Sequence, residues 1–319
     1  MEKRDVVVYS EDYKKLVDAT ALKDKYYEID ERVEEICKEA FKGCDKLEEI
    51  VMPKKLKKID SEAFCGCSGL TELTLPNSVK SIGDGAFADC SGLAKITVES
   101  GNSRYDSRDN CNSIIETETN TLIAGCKNSV IPNSVARIDG LAFCGCSGLT
   151  ELTLPNSVKS IGDGAFAYCS GLTELTLPNS VMSIGRYAFQ GCSGLTELTL
   201  PNSVKSIGDR AFAYCSGLTE LTLPNSVTSI GNCAFGGCSG LTELTLPNSI
   251  TSIGDYAFAY CSDLSKITSL AEIPPMCGFK VFNGVNKTNC ELIVPEGSVA
   301  AYTRAEDWNK FSNIRGFSK

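Results

Sequence analysis

Residues 149–171 read LTELTLPNSVKSIGDGAFAYCSG, and closely similar segments recur along the chain at a spacing of 23 residues. Each copy has an Ala-Phe pair, and a cysteine follows three residues after the phenylalanine. Nine phenylalanines mark the copies: Phe41, Phe64, Phe87, Phe143, Phe166, Phe189, Phe212, Phe235 and Phe258. A fixed period of about 20–50 residues indicates a solenoid, in which each unit buries its apolar face against its neighbours. We therefore predict one repeat domain, although 319 residues would otherwise suggest two globular ones.

The first half of each unit has the pattern of a β-strand. LTELTLP alternates apolar and polar residues, so Leu152 and Leu154 should point into the core while Glu151 and Thr153 point outward. Pro155 should end the strand, because proline cannot donate a hydrogen bond to the next ladder. Stacking of like units would then place these strands in a parallel sheet.

The second half of each unit returns the chain to the next coil. Val158 and Ile161 form a second apolar pair, which fits a short second strand, and Gly162 permits a tight bend. The segment GDGAFAYCSG has the pattern of a turn or a single helical turn with Phe166 and Cys169 inward. We predict an α/β repeat solenoid of about ten coils, spanning residues 33–270.

The two ends of the array differ from the repeat, as expected where one face of a solenoid meets solvent. Residues 1–32 are predicted to form an N-terminal cap with a short helix that begins after Ser10. Residues 271–319 are predicted to form a C-terminal cap with a strand, a turn and an amphipathic helix. Its three large aromatic residues, Tyr302, Trp308 and Phe311, should cover the last coil.

The array is interrupted once. Phe87 and Phe143 are 56 residues apart, which is two periods plus ten residues. Within an insertion at about residues 100–130, NSIIE and NTLIAG flank a polar ETET segment, and this pattern predicts a hairpin. Insertions in solenoids often have a function, but a tolerated loop copied by duplication fits the sequence equally well.

The 17 cysteines are unusual in number and in placement. Nine occupy the same repeat position and should form a structural ladder: Cys44, Cys67, Cys90, Cys146, Cys169, Cys192, Cys215, Cys238 and Cys261. Strand spacing puts ladder neighbours about 4.8 Å apart with nearly parallel Cα–Cβ bonds, whereas a disulfide needs side chains turned toward each other. We therefore expect buried reduced thiols, which suit a reducing compartment.

Two other groups of cysteines have spacings that raise the question of a metal site or a disulfide. The CGC segments at Cys65–Cys67 and Cys144–Cys146 have a shorter spacing than zinc sites use, and packing accounts for them better. Cys111 and Cys126 flank the predicted hairpin and are the best disulfide candidates if the protein is exported.

Composition restricts the class of partner. The net charge is −9 and the isoelectric point is near 4.8, which disfavours nucleic acid and anionic membrane surfaces. The sequence has neither a run of about 20 apolar residues nor the apolar core of a signal peptide, so we expect no membrane insertion and a cytoplasmic location as the sequence stands.

The chain has no histidine, which excludes Ser-His-Asp and Cys-His nucleophilic sites and every zinc site that uses histidine. We expect a protein that is not an enzyme, with no catalytic residue, cofactor or metal. The remaining enzymatic alternative is a polar site in the insertion near Asp106, Arg108 and Glu116.

The outward strand positions form two stripes, which are our candidate binding surface. The glutamates are Glu151, Glu174, Glu197, Glu220 and Glu243, and the threonines are Thr153, Thr176, Thr199, Thr222 and Thr245. Lys95 and Lys266 occupy the glutamate position in two other coils. Like charges at this spacing repel by about 1 kcal/mol per pair even in water, so the stripe should favour a basic ligand. The alternative is that these residues only form a solvated face, which duplication of the repeat has copied.

A second candidate surface lies on the turn side. Tyr168, Tyr214 and Tyr260 precede ladder cysteines in every second repeat. Aromatic residues on a polar surface are typical of recognition patches. The simpler explanation of these tyrosines is that turn positions tolerate changes in sequence.

The pattern LxxLxLPxxVxxIgxxAFxxC, over about residues 33–319, resembles the BspA-like, or treponemal-type, leucine-rich repeat. The resemblance implies a right-handed horseshoe with a curved parallel β-sheet. It also implies a bacterial surface or secreted protein, in a host-associated bacterium, that functions in adhesion or recognition. We therefore expect a protein–protein interaction module with a basic or extracellular-matrix partner, located at the cell surface if the resemblance extends to localisation. A structural spacer without a dedicated ligand is the alternative. The sequence leaves the oligomeric state open.

Overall fold

Each repeat forms one coil with two short strands in the computed structural model, which describes residues 6–318. Both units consist of β-solenoid coils, with about 13 turns and few helices among the described residues. The chain divides into two units, Met1–Leu149 and Thr150–Lys319. The solenoid, its parallel strands and its hairpin insertion are as predicted, but the coils outnumber the expected ten because segments flanking the clear repeats also form coils.

The first unit contains thirteen strands within the described residues. They are β1 (Val8–Tyr9), β2 (Lys15–Asp18), β3 (Tyr26–Glu28), β4 (Glu35–Ile36), β5 (Glu49–Val51), β6 (Lys58–Ile59), β7 (Glu72–Leu75), β8 (Ser81–Ile82), β9 (Lys95–Val98), β10 (Tyr105–Asp106), β11 (Ser113–Glu116), β12 (Thr121–Gly125) and β13 (Arg137–Ile138). A 3-10 turn at Arg108–Asn110 lies between β10 and β11.

The second unit contains thirteen more strands within the described residues. They are β14 (Glu151–Thr153), β15 (Ser160–Ile161), β16 (Glu174–Thr176), β17 (Ser183–Ile184), β18 (Ser206–Ile207), β19 (Glu220–Thr222), β20 (Ser229–Ile230), β21 (Glu243–Leu246), β22 (Ser252–Ile253), β23 (Lys266–Ser269), β24 (Met276–Cys277), β25 (Glu291–Pro295) and β26 (Asn313–Phe317). The only α-helix of residues 6–318 is α1 (Val299–Tyr302), and 3-10 turns lie at Glu296–Ser298 and Trp308–Lys310.

Two rows of parallel strands run through the second unit. The Leu-Thr-Glu-Leu segments form one row, in which β14 pairs with β16 and the order β19-β21-β23-β25-β26 follows. The Ser-Ile segments form the other row, in the order β15-β17-β18-β20-β22-β24. The short second strand is therefore present in every one of these coils, and the Ala-Phe segment between the rows is a turn instead of a helix.

The phenylalanines form stacks through the core of each unit. In the second unit Phe166, Phe189, Phe212, Phe235 and Phe258 are fully buried. Neighbouring rings lie 5.2 to 5.5 Å apart and are tilted by only 3 to 6°. In the first unit Phe41, Phe64 and Phe87 stack in the same way. Because each ring contacts the ring one coil away, the 23-residue period directly sets the packing of the core.

The cysteine ladder links each coil to the one before it. The Sγ of Cys215 donates a hydrogen bond to the Phe189 carbonyl oxygen at 3.2 Å, and Cys238 and Cys261 make the equivalent bonds to Phe212 and Phe235. All 17 cysteines are present as thiols, and the nine of the ladder are buried. A thiol at this position therefore satisfies a buried carbonyl as well as filling space.

The insertion forms the predicted hairpin. β11 and β12 pair antiparallel, with Ser113 opposite Gly125, and β12 then pairs in parallel with β13 to resume the solenoid. This register places Cys126 opposite Asn112, and the Cys126 Sγ donates to the Asn112 carbonyl oxygen at 3.4 Å. Cys111 is a buried thiol that donates to Ser113 instead.

The start of the chain differs from the expected helix. Residues after Ser10 form β2, and the described residues before it form β1, which pairs antiparallel with β2. β2 also pairs in parallel with β4, so a coil precedes Arg32. The helix prediction was wrong because Leu16 is buried between exposed neighbours, and its burial against β4 outweighs local helix propensity.

The last coil is covered by aromatic side chains, as predicted. Trp308, Tyr302 and Phe311 are buried, and the Trp308 and Phe311 rings lie 5.2 and 5.3 Å from the ring of Phe282. The Trp308 Nε1 donates to the Pro275 carbonyl oxygen at 2.9 Å. The expected amphipathic helix is shorter than predicted, and β26 adds one more parallel strand after it.

Candidate functional site

The outer strands of the second unit place the glutamate and threonine stripes in register. Glu151 lies opposite Glu174 in the β14–β16 pair, and Glu220 lies opposite Glu243 in the β19–β21 pair. The intervening coil, which carries Glu197, joins its neighbours through bridges at Thr199. All five glutamates are exposed, while the leucines between the stripes are buried. The period-2 pleat therefore produces one acidic face over an apolar core.

Most of this acidic face lacks a neutralising cation. Among residues 6–318, Glu151, Glu174, Glu197 and Glu220 have no ion pair. Lys266 lies opposite Glu243 and its Nζ is 3.0 Å from the glutamate Oε2. In the first unit, Lys95 makes the same pairing with Glu72 at 3.1 Å. The protein can thus pair a lysine with a glutamate of this row, but it leaves four consecutive glutamates available to an external cation.

The insertion cluster is occupied by internal ion pairs. Arg108 donates to Asp106 and to the Asn120 Oδ1 at 2.8 Å, and Arg104 is 2.9 Å from Glu116. Burial tends to raise the pKa of Asp106, but hydrogen bonds from Arg108 and Thr117 outweigh it, so the pKa lies below its usual value. A general acid needs a raised pKa near the working pH, and Asp106 lacks this property. The cluster holds the hairpin in place.

Most of the ladder thiols resist ionisation, and Cys44 is the exception because a hydrogen bond with Cys67 lowers its pKa. Burial raises the pKa of Cys261 to about 12 and that of Cys146 to about 12, and it raises those of Cys215 and Cys238 well above their usual value. Only the thiolate is nucleophilic, so these cysteines are structural. Residues 6–318 contain no group of three or more cysteine, aspartate or glutamate side chains placed to hold a metal ion.

We expect the free energy of unfolding to fall above about pH 9. Unfolded cysteine thiols ionise near pH 8.5, whereas buried ladder thiols stay protonated, so the unfolded state gains stability as the pH rises toward the folded pKa. Cys261 alone should contribute roughly 1.4 kcal/mol per pH unit in this range. Urea unfolding with a reductant at several pH values would show a shallower decline for Cys261→Ala. Equal slopes for both proteins would contradict this assignment.

The tyrosines of the turn side lie at the surface. Tyr168, Tyr214 and Tyr260 are exposed, and Tyr168 accepts a hydrogen bond from the Gln190 Nε2 at 2.8 Å. In a neighbouring row, Arg210 lies over the ring of Tyr187, and Tyr256 contacts Phe279 edge to face. Glycine holds the same repeat position in the coils that alternate with them, at Gly191 and Gly237.

In the described part of the chain, no helix has the length and apolar character needed to cross a bilayer. The sequence model described as "BspA type Leucine rich repeat region (6 copies)" matches residues 21–124, 121–219 and 183–292. None of the curated proteins matches the sequence.

Several solved structures are similar to this fold. A leucine-rich repeat protein from Eubacterium ventriosum has a TM-score of 0.67 at 24% identity, over 83% of this chain and 78% of that one. The pneumococcal vaccine antigen PcpA has a TM-score of 0.65 at 22% identity, over 96% and 71%. A leucine-rich repeat protein from Bacteroides ovatus has a TM-score of 0.50 at 23% identity, over 98% and 91%. These likenesses show the solenoid fold and no more.

Proposed function

Because the chain belongs to the family of BspA-type leucine-rich repeat proteins, we propose that it is a binding module whose partner contacts the acidic face of the second unit. The observation that carries the proposal is the row of four exposed glutamates without a cationic partner among the described residues. The preferred partner is a basic segment of another protein, since a regularly spaced row of carboxylates attracts lysine and arginine side chains. The threonine stripe beside it supplies hydroxyl groups for hydrogen bonds.

The geometry of Lys266 supports this choice of partner. Its ammonium group occupies the next position of the row and bonds to Glu243. An external lysine could bond to Glu174 or Glu197 in the same way. Because exposed charges are screened by salt, binding should weaken as ionic strength rises.

We expect the triple charge reversal Glu174→Lys, Glu197→Lys and Glu220→Lys to weaken binding of a decalysine peptide by about tenfold or more, since each exposed ion pair contributes roughly 0.2–1 kcal/mol and the new lysines also repel the peptide. Fluorescence anisotropy at low and moderate salt would measure the change. A control with Glu11→Lys, Glu31→Lys and Glu118→Lys changes the net charge equally at exposed positions of the first unit.

The control separates a local site from the general charge of the protein. If both triple variants lose the same affinity, net charge governs binding and the acidic face is not a site. If the stripe variant binds as tightly as the unchanged protein, the proposal fails outright.

We extend the proposal to adhesion or recognition at the surface of a host-associated bacterium, as the family resemblance implies. Protease treatment of intact cells, followed by detection of the repeat array, tests this location. Removal of the protein would support adhesion, and complete protection would point to a partner inside the cell.

A further inference from the structure

One repeat position alternates between tyrosine and glycine throughout the second unit. It is the residue immediately before each ladder cysteine, and in the last coil Val285 takes the place of the cysteine after the glycine. Tyrosine occurs at Tyr168, Tyr214 and Tyr260, which we call the tyrosine row, and glycine occurs at Gly191, Gly237 and Gly284. All six have a positive φ, between 60 and 81°.

The alternation has a steric cause. A Cβ atom added to Gly191 would lie 2.7 Å from the Tyr168 Cδ1, and one added to Gly237 would lie 2.6 Å from the Tyr214 Cδ1. At Gly284 the distance to the Tyr260 Cδ1 would be 3.1 Å. Each tyrosine ring therefore lies across the glycine backbone of the next coil, in space that a side chain would fill. The glycines hold the rings in place.

The tyrosines of this row adopt a strained backbone conformation. A bulky residue with positive φ is strained, whereas glycine adopts this conformation without strain. The first unit has glycine at three of its four equivalent positions, Gly43, Gly66 and Gly145, and Asp89 at the fourth. The tyrosines are 52, 62 and 62% exposed, so burial offsets little of this strain. Three exposed rings in a row, each lying against the glycine of the next coil, form a surface suited to contact with a ligand.

The spacing of the row restricts the ligand. Neighbouring strands of a sheet lie about 4.8 Å apart, and the stacked phenylalanine rings lie 5.2 to 5.5 Å apart, so tyrosines two coils apart are separated by roughly 10 Å. A polyproline II peptide repeats every 9.3 Å or so, from about 3.1 Å per residue and three residues per turn, which is somewhat shorter than this interval. An extended β-1,4-linked polysaccharide repeats every two sugar rings, at an interval close to that of the tyrosines.

The chemistry of the row agrees with this ligand. A serine lies two residues after each of the three tyrosines. Ser170, Ser216 and Ser262 are exposed, and hydroxyl groups can both donate and accept hydrogen bonds. We propose that the tyrosine row binds a neutral, extended β-1,4-linked glycan, with alternate sugar rings stacked on successive tyrosines.

Isothermal titration with hexasaccharides of β-1,4-linked glucose and β-1,4-linked N-acetylglucosamine tests the proposal. We expect one of them to bind, Tyr214→Gly to lose about tenfold in affinity, and the triple variant Tyr168→Gly, Tyr214→Gly and Tyr260→Gly to lose detectable binding. Tyr214→Phe keeps the ring and should keep most of the affinity. Tyr26→Ala, at an exposed tyrosine of the first unit, should bind as the unchanged protein does.

The triple glycine variant should fold, because glycine at this position is present in the first unit, and a melting temperature at or above that of the unchanged protein would verify this. The proposal is overturned if neither hexasaccharide binds at millimolar concentration or if the triple glycine variant binds like the unchanged protein. It is also overturned if the row binds decaproline and neither sugar. Glycan binding does not involve the glutamates, so decalysine binding by the acidic face can succeed or fail independently.

Discussion

Replacing Phe189 by alanine is expected to lower the free energy of unfolding by about 3–5 kcal/mol. The ring is fully buried between Phe166 and Phe212, with centroid distances of 5.2 and 5.3 Å. Its removal leaves a cavity in a stack whose members contact only their neighbours, so the flanking coils cannot fill it without breaking their own register. Urea unfolding followed by circular dichroism would measure the loss.

The matched control is Phe279→Ala, which removes the same ring from an exposed position. We expect a change of under about 1 kcal/mol, since surface substitutions rarely do more. Similar losses for the two variants would mean that the phenylalanine stack is not the main source of cohesion between coils. Unfolding of the Phe189 variant in two transitions would show that the central coils couple the two ends of this unit.

Replacing Trp308 by alanine is expected to destabilise the C-terminal cap and to cause association. The side chain contacts Phe282, Tyr302 and Phe311, and its loss should cost about 3–5 kcal/mol of local stability. The exposed end of a solenoid is a surface that another copy can extend. We expect a lower melting temperature and larger particles in light scattering.

Trp308→Phe separates the packing of the ring from its hydrogen bond to Pro275. Phenylalanine fills most of the space, so this variant should remain dispersed while losing the bond, which is worth about 0.5–1.5 kcal/mol. If Trp308→Ala melts and scatters like the unchanged protein, the aromatic cluster does not protect the last coil.

The two candidate surfaces of the second unit differ in physical character. The acidic face consists of flexible, charged side chains on outer strands, and its contacts should depend strongly on salt. The tyrosine row consists of rings held against glycine backbone, and its contacts should be nearly independent of salt. Salt dependence is therefore a simple way to tell which surface a newly found partner uses.

The repeat period alone was sufficient to predict the solenoid, the buried phenylalanine and cysteine positions, and the outward glutamates and threonines. These features depend on short-range periodicity, which is visible in one copy and reinforced by every other copy. The hairpin was predictable for the same reason, because Ile114 and Leu122 lie in apolar runs on either side of a polar turn. The cap aromatics were predictable from their size and their place after the last repeat.

The tertiary structure alone decided features that depend on contacts between coils. Lys15–Asp18 forms a strand because Leu16 packs against the following coil, a gain that local propensity does not reveal. The pairing of Arg108 with Asp106 depends on a backbone path that the sequence does not specify. The support of each tyrosine by a glycine 23 or 24 residues later also appears only when coils are stacked. Periodicity determines which residues face inward, whereas distances between residues one period apart arise from packing.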